Sequence, residues 1–448
     1  MENLIVDKYG GSSITCREDT DRIGRITKED ERRKIIVVSA PGISPSNKAD
    51  KSYKKITDLA ILYSKTRNPE IIGAMVQIYH RIYPDVSLNE FQSRIGELTQ
   101  EDLSGKAFED FFKARAGEAL NAEYLAKTLN AEYIDAAELF SVSGDFGQAR
   151  ILPESEDKIR KKLKNIERLT IIPGFYGKTI EGKIATFKRG GSDLTGAYIA
   201  ASLNADLYEN FTDTSVLTAD PNIVSPIIPA TISELTFDEL RDLSYFGFGI
   251  FNSESIEPLQ REGVLTHIRN TFEYPNEGTF VVNDRICDRK KPIVGIAYQN
   301  GFVSFDLRKT GLNDITGIGM DILKVFRDRK VPYEITPGAV DNISIIVNKT
   351  GLGKHDVHYI LRDLGNLLGN SKIDFLDNLG MLVVAGKAFR GNRGIAADIL
   401  STLAKADVNI RAISQGSDER CIMYGIEDDD RKKAMTSLFE RYDYLRGD

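Results

Sequence analysis

Lys34-Ile35-Ile36-Val37-Val38-Ser39-Ala40, closed by Pro41-Gly42, is an unbroken run dominated by β-branched residues. Without alternation, such a run fits a strand buried on both faces. Leu4-Ile5-Val6 ahead of Gly10-Gly11, and Leu169-Thr170-Ile171-Ile172 ahead of Pro173-Gly174, repeat the pattern. Helix-like stretches rich in Ala, Leu, Glu and Lys lie between and after them, at Phe108 to Leu129 and Leu194 to Leu203. Strands alternating with helices predict an α/β sandwich on a mainly parallel sheet. Residues from about 66 to 105 are polar, with scattered aromatics at Tyr79, Tyr83 and Phe91, and read as a helical insertion on that sheet.

The chain has 448 residues, room for about three domains. Its 41% hydrophobic and 28% charged residues are the balance of a soluble globular protein, which sets disorder aside. The net charge is −7, from 59 basic and 66 acidic residues, so there is no electrostatic reason to expect nucleic acid or an anionic membrane as partner. Cys16, Cys287 and Cys421 are too scattered for a disulfide framework. Of the four histidines, only His355 and His358 have local ligand spacing, and they read as a solvated pair, so no protein metal site is expected. No apolar run approaches the roughly 18 residues of a membrane span. Met1-Glu2-Asn3-Leu4 lacks the basic start of a secretory signal, and the expected location is the cytoplasm.

Asp288-Arg289-Lys290-Lys291-Pro292 marks a boundary, and the pattern changes beyond it. Gly317-Ile318-Gly319-Met320-Asp321-Ile322-Leu323 returns as Gly394-Ile395-Ala396-Ala397-Asp398-Ile399-Leu400. Each copy opens a helix and runs to a valine, Val331 or Val408, expected to start a strand. The repeat is domain-sized and suits two ferredoxin-like βαββαβ modules. The expected division is 1–288 for the first domain, 293–372 for one module and 373–448 for the other, whose first strand is drawn from about 293–307.

Two glycine turns carry the chemistry. Lys8-Tyr9-Gly10-Gly11-Ser12-Ser13 follows a strand directly, where bare backbone N–H groups can approach a phosphate and Lys8 adds a cation. It is not a P-loop, because no Gly-Lys-Ser/Thr follows. Lys188-Arg189-Gly190-Gly191-Ser192-Asp193-Leu194-Thr195-Gly196 stands at a helix N-terminus, where Asp193 can cap and Arg189 can grip a carboxylate. Taken singly, each is an ordinary turn; two in one α/β domain point to phosphoryl transfer. A third element, Phe211-Thr212-Asp213-Thr214 then Leu217-Thr218-Ala219-Asp220-Pro221, is a strand end and polar turn suited to a nucleotide.

Lys8-Tyr9-Gly10-Gly11-Ser12-Ser13 resembles the Lys-Phe-Gly-Gly-Thr-Ser signature of aspartate kinases. Val37-Val38-Ser39-Ala40, Arg115-Ala116-Gly117-Glu118, Pro173-Gly174-Phe175 and Arg189-Gly190-Gly191-Ser192-Asp193 follow in that family's order, and Ile413-Ser414-Gln415-Gly416-Ser417 is similar to a stretch of its second ACT module. The resemblance implies an amino-acid-kinase fold followed by paired ACT modules, and phosphorylation of the side-chain carboxylate of L-aspartate by ATP with Mg2+, on the way to lysine, threonine and methionine. It implies Lys8 and Asp193 as the catalytic pair. Nucleotide contacts fall on Lys8, Tyr9, Gly10, Gly11, Thr212, Asp213 and Leu217. Aspartate contacts fall on Ser12, Ser39, Glu118, Arg189, Gly191, Ser192 and Asp193, with Arg189 on the α-carboxylate and Glu118 on the ammonium. It also implies a homodimer, or a dimer of dimers, with lysine or threonine as effector at the ACT modules.

The sequence departs from that family in the nucleotide half. Gly249 stands where the family carries a lysine, Asn222 stands for an arginine, and the loop after Thr212-Asp213 is one residue shorter. Lys188 and Arg241 are the candidate substitute cations. The missing lysine at Gly249 motivates another reading, an amino-acid-sensing paralogue with weak activity, and another carboxylate kinase of the same fold is a further alternative.

Overall fold

The computed structural model describes residues 4–50, 53–188, 190–248, 252–369 and 371–447. The chain divides into two units. The first comprises Met1–Val216, Ser233–Phe237 and Gly249–Arg285; the second comprises Leu217–Ile232, Asp238–Phe248 and Ile286–Asp448.

The first unit is built on strands β1 (Ile5–Tyr9), β2 (Arg33–Val38), β3 (Glu132–Tyr133), β4 (Thr170–Pro173), β5 (Tyr176–Lys178), β6 (Ile184–Thr186), β7 (Leu207–Thr212), β8 (Glu234–Thr236), β9 (Leu265–Asn270) and β10 (Thr279–Val282). Eight of them form one sheet in the order β3-β4-β2-β1-β7-β9-β10-β8, and β5 and β6 form a separate hairpin. Every pairing in the large sheet is parallel except β9 with β10. β1, ahead of Gly10-Gly11, and β4, ahead of Gly174, sit where the sequence expects them. All five residues of β1 are buried, and Ile35 to Val38 of β2 are completely so.

β1 has β2 on one side and β7 on the other, so successive connections leave it in opposite directions. That reversal opens a crevice at the carboxyl ends of β1 and β7, the usual place for a ligand in an open α/β sheet. On one face, Tyr9, Ile36, Val38 and Phe211 join a core with the helices that span residues 56–126. The stretch from about 66 to 105 holds the helices Pro69–Ile82 and Leu88–Leu98. On the other face, the helix Gly191–Ser202 lies against β1 and β7.

The long helical pattern from Phe108 is not one regular helix. Gly105–Lys113 and Leu120–Leu129 are α-helical, and Ala114–Ala119 between them is a π-helical turn. Such turns insert one residue into the helical ladder and recur at functional sites.

The second unit holds β11 (Gly295–Arg308), β12 (Gly338–Ala339), β13 (Asn342–Asn348), β14 (Lys372–Ala385), β15 (Ile410–Gln415) and β16 (Cys421–Glu427) in one sheet ordered β12-β13-β11-β14-β16-β15. Its described pairings are all antiparallel. The two long strands β11 and β14 pair along their length and run past both halves. One half packs its sheet face on the helices Ile318–Asp328 and Asp356–Leu368. The other packs on Ile395–Lys405 and Arg431–Arg441, and takes Ala219 and Val224 into its core. Both repeated motifs start helices, and Gly317 (φ 80°) and Gly394 (φ 92°) cap them in the left-handed region that favours glycine. The repeat is less even afterwards. Val408 leads into β15, but Val331 is followed by Pro332 and Pro337, which cannot donate to a ladder, and the only described strand there is the two-residue β12.

Candidate active site

Lys8 and Asn210 are register partners on β1 and β7, so their side chains share one face of the sheet. Both reach the same acceptor. Lys8 Nζ lies 2.5 Å from Asp193 Oδ1, and Asn210 donates to that oxygen at 3.0 Å. Tyr208, two residues before Asn210, donates its hydroxyl to the Asp193 carbonyl at 3.3 Å. Asp193 lies in the first turn of Gly191–Ser202, where a carboxylate also suits the helix dipole.

Beyond Lys8 the chain turns through Gly10 and Gly11. Gly10 donates to the Phe211 carbonyl at 3.1 Å, and Gly42 donates to the Gly11 carbonyl at 2.8 Å. A Cβ on Gly11 would stand 2.3 Å from the Ala40 carbonyl oxygen, so this turn can only be glycine. A Cβ on Gly10 would meet nothing closer than 3.6 Å, and one of its neighbours would be Lys8 Nζ. The bare Cα of Gly10 therefore leaves a methyl-sized gap beside a buried cation.

Lys8, Ser39, Glu118, Gly191, Ser192 and Asp193 line one cleft of about 570 Å³ in the first unit. Phe175 and Phe187 supply an apolar wall. Phe175 has φ 78°, a strained value for a bulky residue, and its N–H donates to Thr195 Oγ1 at 3.0 Å. A Cβ on Gly174 would come within 2.6 Å of the Ser192 Cβ, which explains Pro173-Gly174 before this wall.

Glu118 projects from the π-helical turn and is 4% exposed. Burial pushes its carboxyl up to about 8, partly offset by backbone N–H contacts and the nearby Lys113 cation. Its Oε2 has no hydrogen-bond partner among the described residues. A buried carboxylate held in want of a cation is what an ammonium-binding position requires.

Other expected contacts lie elsewhere. Tyr9 is fully buried and stacks on Phe211 at 4.5 Å, so its ring serves the core. Thr212 and Asp213 stand at the carboxyl end of β7, and Asp213 pairs with Lys48 at 2.5 Å. Leu217 belongs to the second unit, as do Arg241 and Asn222; Asn222 turns back on Asp220 Oδ1 at 2.9 Å. Lys188 is 3.7 Å from Glu254. Arg189 and Gly249 lie outside the described residues.

Two cations were not singled out in the sequence. Lys48 is one. Lys113 is the other: it lines the cleft, is 7% exposed, and lies 3.1 Å from Asp110 Oδ1 and 3.2 Å from Thr186 Oγ1. Asp110 Oδ2 in turn accepts the N–H groups of Gly147 and Thr186 at 2.6 and 2.7 Å. The sequence signal was an Asp-x-x-Lys pair one helical turn ahead of Glu118, indistinguishable from a solvated helix pair without tertiary contacts. Among the described residues no group of three or more His, Cys, Asp or Glu side chains is placed to hold a metal ion.

Residues 3–270 match the model of the amino acid kinase family, and residues 382–442 match an ACT domain. The chain is 34% identical to "Aspartokinase 3" of Bacillus subtilis, over 98% of both chains. It is 33% identical to the crystal structure of Clostridium acetobutylicum aspartate kinase, with a TM-score of 0.81 over 98% of this chain and 99% of that one. E. coli aspartokinase III in complex with aspartate and ADP has the same fold, with a TM-score of 0.79 at 20% identity over 98% of this chain and 99% of that one.

Proposed function

The chain belongs to the amino acid kinase family and within it to the aspartate kinases, and from that premise we propose how its cleft carries out the reaction. The enzyme transfers the γ-phosphoryl group of ATP to the side-chain carboxylate of L-aspartate, giving 4-phospho-L-aspartate and ADP, the first step of the aspartate pathway. A carboxylate oxygen attacks phosphorus and the bond to the ADP oxygen breaks. No base is needed, because a carboxylate is already a nucleophile at neutral pH. Two anions must instead be brought together and the spreading charge neutralised.

Lys8 is the cation for that charge. Asp193 and Asn210 fix its position, and the bare backbone at Gly10 lets a phosphate approach it. The single observation that carries this reading is the Lys8–Asp193 pair lining one cleft with the buried carboxylate of Glu118, whose Oε2 has no hydrogen-bond partner among the described residues. Glu118 takes the substrate ammonium. Ser39, Ser192 and the N–H groups at Gly191 hold the carboxylates, with Arg189 on the α-carboxylate. Lys113 keeps the aspartate end of the cleft cationic. Thr212 and Asp213 meet the nucleotide, and Lys48 is the substitute for the family lysine that Gly249 replaces. Mg2+ is carried on the nucleotide phosphates, in keeping with its preference for phosphate, water and one or two carboxylates. It supplies further charge neutralisation when bound.

The second unit is the regulatory part, with lysine or threonine as effector at its ACT modules and a homodimer formed through them. Its helices are capped by Gly317 and Gly394, and a helix N-terminus of this kind suits an amino-acid carboxylate.

A coupled ADP-release assay with L-aspartate, L-glutamate and no amino acid tests the function. Release that depends on aspartate alone is the expected result. Equal release with glutamate favours another carboxylate kinase, and release with neither favours the sensing paralogue.

A further inference from the structure

Resting on the aspartate-kinase reading, we propose that Tyr79 and Tyr83 of the helical insertion are positioning residues for the aspartate subsite, one setting Glu118 and the other Ser39.

The two tyrosines are four residues apart, on the helix Pro69–Ile82 and at its end, so they share one face. The Tyr79 hydroxyl lies 2.7 Å from the Ala116 carbonyl and 2.8 Å from the Gly117 carbonyl, and shares its proton between them. These are the two residues before Glu118. A π-helical turn takes its carbonyls off the regular i→i−4 ladder, and here a hydroxyl from another helix holds two of them. The Tyr83 hydroxyl donates to Asn121 Oδ1 at 2.7 Å. That fixes the Asn121 amide so that Nδ2 donates to the Ser39 carbonyl at 2.8 Å. Ser39 and Glu118 thus sit on two walls of the cleft, and each is tied to the same helix through a tyrosine hydroxyl. The walls also touch each other, since a Cβ on Gly117 would come within 3.0 Å of the Ala40 Cβ.

The insertion is rigid enough to act as a template. Tyr79 stacks on Phe91 at 5.5 Å, Phe91 packs on Tyr124 at 4.7 Å, and all three are buried. The rings alone would serve a core, and phenylalanine would fill that role equally well. The hydroxyls are what reach the site, and their geometry assigns them the setting of Glu118 and Ser39.

The test compares the full-length native chain with Tyr79→Phe, Tyr83→Phe and Val76→Ala by initial rates with L-aspartate and MgATP, and by thermal melting. Val76 is buried on the same insertion helix and has no polar group with which to hold either wall, so it reports a structural loss alone. The expected result is a KM for aspartate raised about fivefold or more in each tyrosine variant, KM for ATP within about twofold of native, and a normal KM for aspartate in Val76→Ala at a comparable melting loss. Asn121→Ala reproduces Tyr83→Phe. If both tyrosine variants keep a native KM for aspartate, or if Val76→Ala raises it equally, the hydroxyls are structural and the inference fails while the function stands. If the native chain does not phosphorylate aspartate, the function fails first and takes the inference with it. Should one tyrosine variant not fold, the other decides.

Discussion

Lys8 Nζ stands 2.5 Å from Asp193 Oδ1, with their side chains only 8% and 12% exposed, and Asn210 holds the same oxygen. A lysine so fixed is oriented before substrate arrives, which is how electrostatic stabilisation avoids reorganisation at the moment of reaction. Lys8→Ala is expected to fold, since Asn210 still engages Asp193, and to lose at least about a hundredfold in kcat. Circular dichroism and the coupled assay check the two halves. A near-normal kcat would mean that the Gly10-Gly11 loop is architecture only.

The two glycines of that loop are expected to fail differently. Gly11→Ala drives a Cβ into the backbone carbonyl of Ala40, so the variant should fold poorly. Gly10 has φ −67° and room for a methyl group, so Gly10→Ala should melt within a few degrees of native. Its methyl group would occupy the space beside Lys8 Nζ, and KM for ATP should rise about tenfold or more. Equal melting losses, or a native KM for ATP in Gly10→Ala, would contradict the phosphate position.

Glu118 makes the site sensitive to pH in a definite direction. Its folded-state carboxyl titrates near 8, above the usual value of 4.5. The folded protein therefore keeps a proton that the unfolded chain has released, and stability falls as pH rises between those values. Glu118→Gln removes this dependence. Its melting temperature should match native near about pH 5 and exceed it near pH 8, by about 2 kcal/mol or more in stability. Activity runs the other way. In the proposed site the ionised carboxylate meets the substrate ammonium, so kcat/KM for aspartate should climb towards pH 8, and Glu118→Gln should flatten the climb and raise KM. Succinate, which lacks the ammonium, should be turned over poorly by the native enzyme. A native profile flat across this range would remove Glu118 from the substrate.

Much of this was legible in the sequence, for identifiable reasons. Val37-Val38 and Ile171-Ile172 are strands because continuous β-branched runs have few other fates, and Gly11 stands in the turn after β1 because only glycine passes Ala40. Lys8, Glu118 and Asp193 could be named from ordered motifs, and Lys8 and Asp193 as a pair, but not the geometry that joins them. That Asp193 binds Lys8 follows from Lys8 and Asn210 being register partners, and register is not local information. The π-helical turn was invisible because Phe108 to Leu129 keeps helical composition throughout. Lys113 and Tyr79 were missed for the same reason: a buried lysine and a buried tyrosine on amphipathic helices look like surface and core until the neighbouring elements are in place. The Val331 strand was expected from the repeat, and the prolines at 332 and 337 prevail over it.

The second unit carries the last prediction. Its sheet ends at β15, whose outer backbone edge has no strand beside it among the described residues and whose Ile413 is 46% exposed. An open edge with an apolar residue on it is a surface for strand pairing, and a second copy of the module satisfies both needs. Light scattering of the full chain should give a dimer, and Ile413→Lys should shift it towards monomer without loss of helix signal. Cutting the chain near Asp288 is a poor alternative, because Ala219 and Val224 are buried in the core of this unit and the cut would strip them bare. Lysine or threonine should raise the melting temperature of the dimer, since a ligand selective for the folded state must stabilise it. The same ligand can lower activity only by binding two conformations unequally. A monomeric native chain, or Ile413→Lys of unchanged mass, removes this edge from the assembly. A melting temperature unmoved by lysine, threonine or methionine leaves the repeated modules without an effector role.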